Sequence, residues 1–144
     1  DGIEYVENGM LLAVDNVERV VKYVAEGENL PVALNYTTEH MYDERLLNSL
    51  RNFKLDNGTF LPRLGYLATG DKFTTNCLAV ADSAAVADKA TVDEVKAVLG
   101  TAKYGKACAL GAIELTADKA DAIVKVVEAT TMPDGQFAVK FIAL

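Results

Sequence analysis

Several residue types are scarce in this chain, and each scarcity removes a class of function. Histidine occurs once, at position 40. Zinc sites need three or four converging ligands, usually including His or Cys. His40 beside Glu39, Asp43 and Glu44 does not supply such a set, so no metal is expected. Serine occurs only at Ser49 and Ser83, and neither stands in a Gly-x-Ser-x-Gly elbow. Gly105 and Gly111 do not build a phosphate-binding glycine pattern. Cysteine catalysis needs a base within reach of the thiol, and His40 alone could serve Cys77 or Cys108. Neither cysteine stands in a pattern that activates a thiolate. The chain is therefore expected to be no enzyme and to carry no cofactor.

The two cysteines are also too few for a disulfide framework. Both are expected as free thiols in a reducing compartment, filling core space as small hydrophobes, with a disulfide between them left open because the sequence does not give their separation. Basic residues number 14 against 21 acidic ones, for a net charge of −7. Nucleic-acid binding draws most of its affinity from Lys and Arg on phosphates, and an anionic membrane surface makes the same demand. Neither partner suits this chain. No run of about 18 apolar residues exists to form a spanning helix, and no signal-peptide pattern is visible.

What the chain does have is apolar mass. At 144 residues and 51% hydrophobic content it is expected to fold as one domain over an ordinary core. Met10 to Val14, Val20 to Val24 and Pro31 to Tyr36 read as strands, the first ending in a turn at Asp15-Asn16. Phe53 to Leu55 and Phe60 to Leu67 flank Asp56-Asn57-Gly58, which suggests a hairpin. After a turn at Gly70-Asp71, Lys72 to Val80 reads as one strand. Thr91 and Glu94 fit a capping box. Val92, Val95, Val98 and Leu99 then share a helical face, and Gly100 follows as a terminator. A short helix is expected over about 92–99, with another helical turn near Ser83 to Ala87.

The last third returns to strands over Ala107 to Leu115, Ala122 to Thr131 and Gln136 to Leu144. Met132-Pro133-Asp134-Gly135 predicts a tight turn closed by glycine. That turn sets Met132 opposite Gln136, Glu128 opposite Lys140, Ala129 opposite Val139 and Val127 opposite Phe141. The expected core face of this C-terminal hairpin carries Val127, Ala129, Phe137, Val139 and Phe141. The other face carries Val124, Val126, Ile142 and Leu144, an apolar end that another element or a partner must cover. The fold class expected is mainly β, an antiparallel barrel or sandwich with one short inserted helix and a C-terminal hairpin turning at 132–135.

Five segments carry a resemblance: Asn8 to Leu12, Tyr36 to Glu44, Leu61 to Gly65, Gly70 to Asn76, and Thr130 to Gly135 with its closing strand. Together they resemble a family of small head proteins of tailed bacteriophages, encoded close to the major capsid protein. The alanine-rich stretch Ala81 to Ala102 carries the least of the likeness. The resemblance implies a decoration or cement protein on the capsid exterior of the virion, assembled in the host cytoplasm. Its implied partner is the major capsid protein, and the implied state is a homo-oligomer at the joints between capsomers. Aromatic and Arg side chains are enriched at binding hot spots, so the loop carrying Tyr36, His40, Tyr42 and Arg45 is the candidate contact surface. Ile142 and Leu144 join it from the apolar end of the hairpin.

Two other classes fit the composition. One is a different virion component, such as a tail or connector protein. The other is an intracellular small-molecule-binding β-barrel, in which Tyr36, Tyr42, Tyr66 and Tyr104 could line a ring or sugar site.

Overall fold

The computed structural model describes residues 3–25, 29–37, 53–56, 58, 61–80 and 90–144, with Leu110 in its backbone only. Within them lie twelve strands and one short α-helix. The strands are β1 (Tyr5–Val6), β2 (Leu11–Asp15), β3 (Val20–Lys22), β4 (Val32–Asn35), β5 (Leu55–Asp56), β6 (Leu64–Gly65), β7 (Lys72–Thr75) and β8 (Leu78–Val80). Helix α1 (Val92–Val98) follows, then β9 (Tyr104–Ala107), β10 (Ile113–Thr116), β11 (Val124–Thr131) and β12 (Phe137–Ala143).

They form three open sheets, ordered β1-β5, β3-β2-β4-β6 and β7-β12-β11-β9-β10-β8. None closes into a barrel, and the layers stack as a sandwich. Every pairing is antiparallel except β8 with β10, which run parallel. No helix among the described residues is long and apolar enough to cross a membrane.

Strand β2 shows why the layers stack. Leu11, Leu12 and Ala13 are all buried, because the four-stranded sheet is covered on both faces. Leu11 joins Ile113, Val124, Val139 and Phe141 of the six-stranded sheet, with Leu34 packed against them. Leu12 turns the other way and meets Val6, Met10, Leu55 and Cys77. A doubly covered strand reads as a continuous apolar run instead of an alternation, and that is how Met10 to Val14 reads.

The helix follows its sequence signals. Thr91 caps it, with Glu94 N–H donating to Thr91 Oγ1 and Thr91 N–H donating to Glu94 Oε2. Val95 faces the core, while Val92 remains exposed. Gly100 does not take the left-handed conformation. The end is closed by Thr101 and Ala102 N–H groups, both donating to Val98 O.

Three of the expected strand assignments need correction. Among the described residues, no pairing joins the two arms of the hairpin expected around Asp56-Asn57-Gly58. Strand β5 pairs with β1, because Leu55 buries against Val6 and Met10, and β6 pairs with β4. Lys72 to Val80 is two strands, on opposite edges of the large sheet. The chain breaks where Cys77 N–H turns to Thr75 Oγ1 and Leu78 N–H to Asn76 O. Likewise, Ala107 to Leu115 is split by a short helical turn at Ala109–Gly111, which folds β10 back beside β9.

The C-terminal hairpin keeps its turn, with Gly135 at φ +83° and Met132 N–H on Gln136 O. Glu128 faces Lys140 and Ala129 faces Val139 as expected. Val127 does not face Phe141. It is the extra residue of a β-bulge, and Val126 takes the place opposite Phe141. The straight register would have put Lys125 opposite Ala143 on the buried face. The bulge moves Lys125 out, brings Val124 and Val126 in, and leaves Val127 46% exposed.

Candidate functional site

The surface of most interest opens where the two larger sheets part. Leu34, on the inner face of β4, and Phe73, on β7, supply its floor together with Leu67. Tyr36 and Tyr66 form its walls, and Asp71 and Lys72 its polar rim. The depression measures about 330 Å³ and is open to solvent. Residues Tyr66 and Leu67 cross from the edge of one sheet to the edge of the other, so the crossing chain itself frames the opening.

Tyr36 is held in place by its neighbours. Its N–H donates to Arg63 O at 3.0 Å, which extends the β4–β6 pairing by one residue. Its ring lies over Gly65, where a side-chain carbon would come within 2.7 Å of Tyr36 Cε1. The Arg63 guanidinium sits 5.2 Å from the ring centroid, a cation–π contact. Next along the chain, Thr37 Oγ1 donates to Asn35 Oδ1 at 2.7 Å and accepts from Arg63 N–H at 2.8 Å. Asn35 is buried, and its Nδ2 donates to Glu7 O at 2.9 Å. A buried amide thus ties the aromatic rim to the N-terminal strand connection. Tyr36 and Tyr66 are nevertheless 48% and 61% exposed. Leu61, two residues before Arg63, is 92% exposed.

Of the six residues selected from the sequence, Tyr36 lines this depression. His40, Tyr42 and Arg45 lie outside the described residues. Ile142 is half-buried on β12, opposite Lys72 on β7, but it does not line the depression. Leu144 is 44% exposed. Its backbone is fixed between Ile123 O, which accepts from its N–H, and Thr69 Oγ1, which donates to its carbonyl. Val124 and Val126, expected on the outward face with them, pack inward instead. Sequence reasoning missed Arg63, Gly65 and Lys72. The signal for Gly65 was available: a glycine inside a strand marks a close approach, here by an aromatic ring.

Both thiols are sealed. Neither Cys77 nor Cys108 is in a disulfide, and both are buried. Burial and the nearby Glu114 carboxylate push Cys108 up to about 11, so it stays protonated at neutral pH. Glu114 itself is buried beside its cross-strand partner Lys106, with Nζ 3.3 Å from Oε1. Among the described residues no three His, Cys, Asp or Glu side chains converge in a way that could hold a metal ion. Searches against family models, curated proteins and solved structures returned no match.

Proposed function

We propose that this chain is a structural protein of a tailed-phage head. It decorates the outside of the shell and works by adhesion to the major capsid protein, without catalysis. One observation carries the reading: Tyr36 and Tyr66 stand exposed at an apolar-floored opening, with Arg63 stacked on Tyr36, whose strand end is braced by part-buried hydrogen bonds of Asn35 and Thr37. A preorganised aromatic–arginine rim is the kind of surface that carries binding energy, because its side chains lose little freedom on contact. A specific interface of ordinary size covers roughly 800 Å² per partner, so this opening would form its centre and not its whole extent. The second support is the resemblance of five segments spread over most of the chain. Two of them, Tyr36 to Glu44 and Leu61 to Gly65, contribute residues to this surface.

A decoration protein raises the work of separating shell subunits by binding across them, in the way any ligand of the assembled state stabilises it. The test is co-sedimentation with purified phage shells that carry no decoration. Saturable binding at a fixed ratio of chain to capsid subunit is expected. Failure to sediment with shells at any concentration would overturn the capsid reading.

A further inference from the structure

The same opening runs along an unpaired strand edge. Among the described residues strand β7 has one neighbour, β12. Ala143 N–H donates to Asp71 O at 2.8 Å, which fixes the alternation of the pair. Phe73 and Thr75 therefore turn their backbone groups towards β12, and Lys72 and Thr74 turn theirs away. Those outward groups have no backbone partner among the described residues. An exposed edge of this kind is a template for an added strand.

The charges beside the edge select what could be added. Lys72 lies on the edge and Arg63 stands over Tyr36, and neither makes an ion pair among the described residues. The one acidic group on the rim, Asp71, is turned back into its own turn, where Oδ2 accepts from Ala68 N–H at 2.8 Å. In a chain of net charge −7, Lys72 lines this opening with no ion pair among the described residues, and the exposed Arg63 lies against Tyr36 of its wall. We infer that the β7 edge and the Tyr36–Tyr66 opening receive an extended acidic segment of a partner protein, paired by backbone to Lys72 and Thr74. Its carboxylates meet Lys72 and Arg63, and its alternate apolar side chains enter the floor.

This inference rests on the adhesive reading above and specifies the chemistry of the bound segment. The test is a nuclear magnetic resonance titration of the isotope-labelled full chain with three capped hexapeptides: alternating Val-Glu, Val-Gln and Val-Lys. The Val-Glu peptide should shift the amide signals of Lys72 and Thr74 in a saturable way, and binding should weaken as salt is raised. Val-Gln should bind about tenfold more weakly. The double change Lys72→Glu and Arg63→Glu should reverse the preference towards Val-Lys. Thr74→Pro removes one outward N–H at a position where an edge strand tolerates proline, and should abolish the saturable shift of the Lys72 amide. Equal binding of all three peptides, shifts confined to other strands, or no binding overturns the inference. Shifts of the same amides with chain concentration alone would assign the edge to a second copy and overturn the acidic partner. Peptide binding without shell binding would sink the capsid partner and leave the edge recognition standing; shell binding without peptide binding would do the opposite.

Discussion

At the residue scale, Asn35 is the side chain on which the exposed rim depends most. It is 1% exposed and bonds Glu7 O and Thr37 Oγ1, and Thr37 in turn holds the Arg63 backbone. Asn35→Ala takes one donor from Glu7 O and the acceptor from the Thr37 hydroxyl at a buried position, and should cost about 1–3 kcal/mol in urea unfolding. A midpoint unchanged from the parent would show that this network is not structural. Cys108 makes a second, pH-dependent prediction. Its thiol is held up near 11 against an ordinary value of 9.0. A raised value means that its contribution is fully present below about pH 9 and is lost as pH climbs towards 11. Stability should fall by about 2–3 kcal/mol across that window. Cys108→Ala should remove that part of the fall, while other alkaline titrations persist in both proteins. Parallel pH curves for the two would contradict the buried-thiol account. The burial of both cysteines was legible in the sequence, since two thiols in an acidic, apolar chain with one histidine had little else to do. Asn35 was not, because nothing local distinguishes an asparagine at a strand end from one that braces a distant loop.

At the element scale, what was legible was local. The Thr91 and Glu94 capping box and the Pro133-Asp134-Gly135 turn are both set within a few residues, and both formed. Thr91→Ala should destabilise the chain by about 1 kcal/mol, checked by thermal or urea unfolding. Glu94 is held below the usual carboxylate range by its bonds to Thr91, so the capping contribution should fade as acid protonates it. No loss in Thr91→Ala would mean the helix is held by Val95 packing alone. What was not legible depended on a third strand. The bulge at Val127 follows from the demands of β9: Gly105 lies opposite Val124, and a side chain there would come within 2.8 Å of Val124 Cγ2 and 2.6 Å of Ile113 Cγ2. The missing glycine side chain is the space that Val124 fills. Lys125 on the would-be core face was the one hint in the sequence that a straight register could not hold. Strand β5 misled for a similar reason, because an Asp-Asn-Gly signal marks a turn but not which strand follows it as partner.

At the scale of the whole molecule, the mainly β architecture was legible from repeated apolar runs and turn signals, and it is a sandwich of open sheets. Layer order was not legible, since it rests on which face of β2 meets which sheet. The same openness that leaves edges unpaired creates the rim of Tyr36, Arg63 and Tyr66, which only the meeting of β4, β6 and β7 assembles. The function proposed here rests on that rim acting as a rigid adhesive surface. The most direct measurement is the binding isotherm on undecorated shells for the parent chain and for the Tyr36→Ala, Tyr66→Ala double variant, with unfolding curves confirming that both are folded. The account predicts saturable binding by the parent and a loss of at least about tenfold in affinity for the variant. Equal isotherms for two equally folded chains would contradict it.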